Sequence, residues 1–163
     1  MLTEEELRSY GIDVPRKANL LKLAAYLREV EHAKFDMGDF YLQCDTHVEP
    51  APVHPHAVVQ HDMEPNYCNT VACAVGHGPD AGIPTSDTDL GWLSYSRRVF
   101  TNCGHTWDFL FSDSWADIDN TPNGAAERIE FLLENGLKDI WDTQVPINDF
   151  FESLDKNALP YKK

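Results

Sequence analysis

The fold of this chain is decided by the stretch Asn120-Thr-Pro-Asn-Gly-Ala-Ala-Glu-Arg-Ile-Glu-Phe-Leu-Leu-Glu-Asn-Gly136. Thr121 is a favoured N-cap residue, and Pro122 suits the first helical position, where its missing N–H costs no hydrogen bond. Gly136 suits the position just past the helix, where the backbone is often left-handed. The stretch therefore predicts an amphipathic helix packed on a core. Its apolar face is formed by Ala125, Ala126, Ile129, Leu132 and Leu133.

Two helices are predicted nearer the N-terminus. Thr3 and Glu6 have the spacing of a capping box, which opens a short helix that Gly11 closes. Pro15 starts a longer helix that continues to about His32. The apolar residues of this longer helix recur at the helical period, so they are expected in the core. They are Leu20, Leu23, Ala24, Leu27 and Val30.

Residues 34–67 lack a helical pattern. Prolines interrupt the segment, so it is predicted as a long irregular loop rich in proline and histidine. The apolar residues between Phe35 and Leu42 leave room for a short strand pair. A loop of this length in a compact domain is usually functional or held in place by something.

Shorter helices are predicted in the rest of the chain. One extends from about Asn69 to Gly76, and a second is capped by Asp87 or Asp89. Trp107 and Trp115 would share one helical face if their segment were continuous, and a last helix covers 148–154. The sum is a mainly α, compact single domain spanning 1–163, with a basic tail at 156–163.

The charge of the chain is strongly negative, −14 over 163 residues. Residues 113–155 alone hold eleven acids against Arg128 and Lys138, a net of −9. Such a field repels nucleic acid and anionic membranes, so neither is expected as a direct partner. It suits a basic protein partner, while solubility is the simpler interpretation. With no apolar run near the roughly 20 residues of a membrane span and no signal-peptide pattern, a cytoplasmic protein is expected.

Cysteine and histidine residues in the loop are candidate zinc ligands. Cys44 and His47 form a C-x2-H pair, His54 and His56 form an H-x-H pair, and His61 follows. Thiolate and imidazole bind zinc well, and a metal would explain how a proline-rich loop stays ordered. The spacing matches no standard zinc finger or ribbon, and exposed polar loop residues are the alternative. No cofactor is otherwise expected.

A cysteine nucleophile is a second candidate. Cys68 at the start of the predicted 69–76 helix would have its thiolate favoured by the helix dipole. His105 follows, and Asp108, Asp117 or Asn120 could orient it, which is the order of a cysteine hydrolase. Four cysteines and seven histidines produce this order easily by chance. In the alternative, Cys68 and Cys73 are small buried apolar residues.

A third candidate is a divalent cation held by Asp113, Asp117 and Asp119. These residues lack the Asp-x-Asp-x-Asp-Gly frame of a calcium loop, so a solvated junction between helices is the alternative. No phosphate loop, dinucleotide fingerprint or basic patch interleaved with aromatics occurs in the sequence.

Two blocks of the sequence resemble small uncharacterised proteins of bacteriophages and proteobacterial genomes. The first is Cys68-Asn-Thr-Val-Ala-Cys-Ala-Val-Gly-His-Gly-Pro79. The second contains Trp107-Asp-Phe-Leu-Phe, Trp115 and Asp119-Asn-Thr-Pro-Asn-Gly-Ala-Ala-Glu-Arg-Ile129. The resemblance covers about residues 66–136 and implies a phage or prophage accessory protein, without implying an activity.

The sequence therefore favours a non-enzymatic accessory protein whose acidic surface binds a basic partner. Such a protein could inhibit a host nucleic-acid-binding machine by occupying the groove that phosphates would fill. A metal- or cysteine-dependent enzyme and a structural component of the virion are the alternatives.

Overall fold

The computed structural model describes residues 1–38, 42–43 and 70–162. Within these residues the chain is mainly α-helical, as predicted. The six α-helices are α1 (Glu4–Ser9), α2 (Val14–Leu27), α3 (Trp92–Val99), α4 (Gly104–Phe111), α5 (Pro122–Asn135) and α6 (Ile147–Ser153). Two 3₁₀ segments (His32–Lys34 and Asp113–Asp117) and two short strands, β1 (Leu42–Gln43) and β2 (Thr70–Val71), complete the described structure.

Helix α5 forms as its end signals predict. The Thr121 hydroxyl accepts a hydrogen bond from the Gly124 N–H at 2.9 Å, which caps the helix. Gly136 ends it with φ +70°, a conformation that favours glycine. The predicted apolar face is buried, and α5 packs mainly against α2. This helix pair is the centre of one buried cluster that includes Leu7 near one end of the chain and Tyr161 near the other.

The N-terminal helices agree with prediction except at one end. The Thr3–Glu6 capping box is present, and Asp13 caps α2 by accepting a hydrogen bond from the Arg16 N–H. Helix α2 ends at Leu27 rather than His32, so the predicted end is wrong. The Glu29 N–H bonds to the Tyr26 carbonyl, three residues back. This tighter spacing ends the α-helix before a separate 3₁₀ turn.

The predicted helix at 69–76 is wrong. Thr70 and Val71 form β2, which pairs antiparallel with β1 in the register Leu42 to Val71 and Gln43 to Thr70. Ala72 then bridges to Phe35 in parallel. Residues 72–75 are all buried. An amphipathic helix at this position would instead leave one face exposed to solvent. A short strand pair is therefore present, but its second strand lies where the sequence predicted a helix.

The predicted caps at Asp87 and Asp89 are also wrong. Helix α3 begins at Trp92, and the Ser94 hydroxyl accepts hydrogen bonds from the backbone N–H groups of Leu90 and Gly91. Asp89 instead accepts hydrogen bonds from Arg98, which fixes the preceding turn to α3.

Trp107 and Trp115 do not share one continuous helix. Trp107 lies in α4, and Trp115 lies in the following 3₁₀ segment, where its ring is completely buried. Ser112 separates the two elements and caps the second. The last predicted helix is present as α6, displaced by one residue from the expected 148–154. No helix in the described parts of the chain combines the length and apolar character that a membrane crossing requires.

Candidate functional site

The predicted zinc ligands and the predicted nucleophile lie outside the described residues. This holds for Cys44, His47, His54, His56, His61 and Cys68. Among residues 1–38, 42–43 and 70–162, no group of three or more histidine, cysteine or acidic side chains could hold a metal ion. The zinc site and the Cys68 nucleophile therefore stay predictions.

His105 and Asp108 lie on α4, but their side chains have different surroundings. The His105 ring is exposed and contacts the edge of Trp141 at 5.4 Å between ring centroids. Asp108 is half-buried and lines a cleft that His105 does not line. No hydrogen bond joins the two side chains, which are both in the described part of the chain. The structure thus does not align them as an orienting acid and a base.

The cleft beside Asp108 lies between α4, the segment after it and the turn before residue 39. We call it the α4 cleft, and it encloses about 280 Å³. Its described lining consists of Met37, Gly38, Cys73, Trp107, Asp108, Phe111, Ser112 and Asp113. The cleft combines an apolar wall with two carboxylates, which is typical of a ligand site.

Trp107 is held firmly in the wall of the α4 cleft. Its indole Nε1 donates a hydrogen bond of 2.7 Å to the hydroxyl of Ser96, which is fully buried. The edge of its ring contacts Phe111, with the centroids 5.9 Å apart. The aromatic wall is therefore positioned before any ligand arrives.

Asp108 is electrostatically strained in the α4 cleft. Burial raises the pKa of its carboxyl group, and the charges of His105 and Arg97 only partly oppose that change. No described residue donates a hydrogen bond to this carboxylate. A half-buried carboxylate without a donor is unfavourable for the fold, and such groups are concentrated at functional sites.

The histidine of the 70–80 segment has a structural role. His77 is buried, and its Nε2 lies 2.9 Å from the Lys34 carbonyl oxygen. Its ring stacks on Phe35 at 6.2 Å. Burial lowers the pKa of His77, which favours the neutral ring at neutral pH. His77 therefore joins the 72–80 segment to Lys34 and Phe35.

The buried Arg128 is the residue that sequence reasoning missed. It is 0% exposed, and its guanidinium carbon lies 4.3 Å from the centroid of the Trp115 ring. Its Nη1 donates to the Tyr161 hydroxyl at 3.2 Å, and Tyr161 donates to Asp119 at 2.7 Å. The sequence contained a signal, because Arg128 is three residues after Ala125 and four before Leu132, both on the apolar face.

Asp119 is the counter-charge of this buried arginine. Its Oδ2 lies 3.7 Å from Arg128 and 3.2 Å from Lys162, and its Oδ1 accepts a hydrogen bond from Thr121. Burial alone would raise the pKa of Asp119, but the hydrogen bonds from Thr121 and Tyr161 and the charge of Arg128 produce a net decrease. Asp119 is therefore committed to the interior and does not join Asp113 and Asp117 as a cation ligand.

The burial of Arg128 together with Asp119 removes one positive and one negative charge from the surface of residues 113–155, so the net charge of that surface stays the same. With Arg128 and Asp119 paired in the interior, Lys138 is the only exposed lysine or arginine in this range. The same range contains nine exposed carboxylates: Asp113, Asp117, Glu130, Glu134, Asp139, Asp142, Asp149, Glu152 and Asp155.

Five of these carboxylates form what we call the acidic surface: Asp139, Asp142, Asp149, Glu152 and Asp155. Trp141 stacks on Phe150 with the ring centroids 4.9 Å apart, which holds the 139–142 turn against α6. No lysine, arginine or histidine occurs between residues 139 and 155. In the described structure none of the five is in an ion pair. The acidic surface is therefore charged and uncompensated.

Comparison with protein-family models, curated proteins and solved structures finds no match to this chain. The resemblance to phage and proteobacterial proteins accordingly stays a prediction from the sequence.

Proposed function

We propose that this chain is a phage-type accessory protein that binds a basic protein partner through its acidic surface. The observation that carries the proposal is that the five carboxylates of the acidic surface are exposed and form no ion pair within the described structure. The segments that carry these carboxylates are joined by the Trp141–Phe150 stack. A nucleic-acid-binding protein of the host fits this surface, because its basic groove is built to accept phosphate charges.

The structure also supports a specific way of binding. Charges on α6 and on the preceding turn are fixed relative to each other by the aromatic stack, so a partner meets a preformed pattern. Preformed complementary charge raises association rates and selects partners more than it raises affinity. The complex is therefore expected to form rapidly at low salt and to weaken as salt is added.

Matched charge variants test this proposal. Asp139→Asn, Asp142→Asn, Asp149→Asn and Glu152→Gln together remove four of the five charges of the acidic surface. The control variant removes the same number of charges from exposed acids elsewhere: Glu4→Gln, Glu5→Gln, Glu29→Gln and Glu31→Gln. Each protein is immobilised and exposed to host extract, and bound proteins are eluted with salt and identified.

The proposal predicts a basic protein that is captured by wild type and by the control but lost by the acidic-surface variant. Equal capture by both variants would show that net charge, rather than this surface, determines binding. Capture by all three proteins in high salt would contradict the electrostatic basis of the proposal.

A further inference from the structure

Residues 155–162 follow α6 and lie on the core without sharing its backbone hydrogen bonds. The Ala158 N–H donates to the Asp155 carbonyl, and the Lys162 N–H donates to the Leu159 carbonyl, so both bonds are internal turns. In the described structure no backbone group of this segment bonds to another element. We call residues 155–162 the strap. Because only side chains hold it, the strap can leave the core without breaking a helix or a strand.

The side chains that hold the strap meet at one buried carboxylate. Leu159 and Tyr161 are buried, and the ring of Tyr161 contacts Trp115 edge-on with the centroids 5.4 Å apart. The Tyr161 hydroxyl donates to Asp119 at 2.7 Å, and the Lys162 Nζ lies 3.2 Å from the same oxygen. Docking of the strap therefore depends on two buried side chains and on Asp119.

The strap also helps to enclose Arg128. The guanidinium carbon of Arg128 lies 4.3 Å from the centroid of the Trp115 ring and 5.4 Å from that of Tyr161. Its Nη1 donates to the Tyr161 hydroxyl, but its Nε and Nη2 are buried without an acceptor in the described structure. Buried donors that lack an acceptor are costly, and more so when they are charged. The docked strap therefore keeps a poorly satisfied cation away from water.

The electrostatic surroundings of Arg128 agree with this geometry. Burial lowers the pKa of Arg128, and the opposing effects of Tyr161, Asp119 and Glu127 are too small to restore it. The docked arrangement thus disfavours the charged form of the side chain. Water that reaches the guanidinium when the strap leaves would supply the missing acceptors. Arg128 therefore opposes docking, although it donates a hydrogen bond to the strap.

An open cleft lies at each end of the Tyr161–Asp119 hydrogen bond. One cleft, of about 380 Å³, is lined by Tyr161 and by Glu127 of α5. The other, of about 370 Å³, is lined by Asp119 and by Leu159 and Lys162 of the strap. The strap is therefore bordered by two clefts at the point where it encloses Arg128.

We infer that the strap undocks as a unit from the folded core, and that undocking uncovers the guanidinium of Arg128 stacked on Trp115. The buried Leu159 and Tyr161 favour the closed state, and the desolvated Arg128 favours the open state. Because these contributions oppose each other, both states are accessible without unfolding of the helices. A molecule that binds only the uncovered surface would hold the strap open. This device does not depend on the proposed function.

Native-state proteolysis with endoproteinase Lys-C tests the inference. The protease cuts after lysine, and at low protease concentration the cutting rate follows the population of the open form. Cutting after Lys156 reports on the strap, and cutting after Lys22 in α2 reports on unfolding of the core. Mass spectrometry distinguishes the two products. Wild type should be cut after Lys156 at least roughly tenfold faster than after Lys22.

Two variants should change the rate at Lys156 in opposite directions. Tyr161→Phe removes the hydroxyl that bonds to Asp119 and Arg128, so cutting should be roughly tenfold faster. Arg128→Met removes the buried charge but keeps an apolar side chain, so cutting should be at least roughly threefold slower. A segment that is merely loose would not be held more tightly by the loss of a contact.

Tyr26→Phe and Arg97→Met are the matched controls. They make the same changes of residue type in α2 and α3, outside the strap and the Arg128 network. Both should be cut after Lys156 at the wild-type rate.

Three results would overturn the inference. Cutting of wild type after Lys156 at the Lys22 rate would show that the strap opens only when the core unfolds. A wild-type rate in Tyr161→Phe would show that Tyr161 does not hold the strap closed. Faster cutting of Arg128→Met after Lys156 would show that the guanidinium favours docking rather than opposing it.

Discussion

Substitution of Asp119 by alanine tests how the interior of this protein is stabilised. Asp119 lies 3.7 Å from Arg128, which is 0% exposed, and it accepts hydrogen bonds from Tyr161 and Thr121. Its removal leaves a buried guanidinium without its counter-charge. The Tyr161 hydroxyl loses its acceptor at the same time.

The magnitude follows from the cost of an unpaired buried charge. Breaking a buried ion pair by removing one partner typically costs about 3–5 kcal/mol. For a chain of this size, each kcal/mol corresponds to roughly 2–4 °C in melting temperature, so Asp119→Ala should melt roughly 6–20 °C below wild type. Replacing both members, as in Asp119→Ala with Arg128→Met, should recover part of the loss because no charge remains buried.

Urea denaturation and thermal melts followed by circular dichroism measure these differences. The control is Asp117→Ala, an exposed carboxylate two residues earlier, which should change the unfolding free energy by no more than about 0.5 kcal/mol. A loss below about 1 kcal/mol for Asp119→Ala, or a double variant that is less stable than the sum of its single variants, would refute the reasoning.

The remaining predictions concern glycine, pH, the cleft and metal. Gly124→Ala should lower the melting temperature, because the new Cβ would overlap the Asp119 carboxylate. The loss is expected although alanine normally favours a helix over glycine. The pKa of Asp119 is lowered in the folded protein, so its ionised form stabilises the fold above about pH 4, and this stabilisation is lost as the pH falls further. The urea midpoints of wild type and Asp119→Asn should therefore converge as the pH falls below about 4. Asp108 has a raised pKa, so Asp108→Asn should raise the melting temperature at pH 7, and this gain should vanish below about pH 4. If the loop binds zinc, elemental analysis of untagged protein should find about one equivalent that is lost in Cys44→Ser with His54→Ala, whereas metal-free folded protein would contradict that prediction.

The sequence predicted best the structure that depends on short-range chemistry. The Thr121 and Thr3 caps bond to backbone groups three residues away, so the residue types alone determined where α5 and α1 begin. The end of α2 was predicted five residues too late because Val30 continues the apolar period into a turn. The spacing of apolar residues indicates which side chains are buried, and a turn that buries a side chain can continue the spacing of the helix before it.

The remainder depends on contacts between distant parts of the chain. Residues 70–72 became extended because they pair with β1 and with Phe35, and those pairings cannot be read from 69–76 alone. The pairing of Arg128 with Tyr161 joins residues 33 positions apart. The α4 cleft combines Met37 and Cys73 with α4, so Asp108 and Asp113 were found only as members of separate candidate sites, and the cleft they share was not predicted.

Binding of a basic partner through the acidic surface should depend strongly on salt concentration. Isothermal titration calorimetry of the captured partner at several salt concentrations gives this dependence for wild type and for the acidic-surface variant. Wild-type affinity should fall at least roughly tenfold between 50 and 300 mM salt, because screening shortens the range of the charges. The variant should bind weakly with a shallow salt dependence. Wild-type affinity that does not change with salt, or a variant that retains the wild-type dependence, would contradict the account.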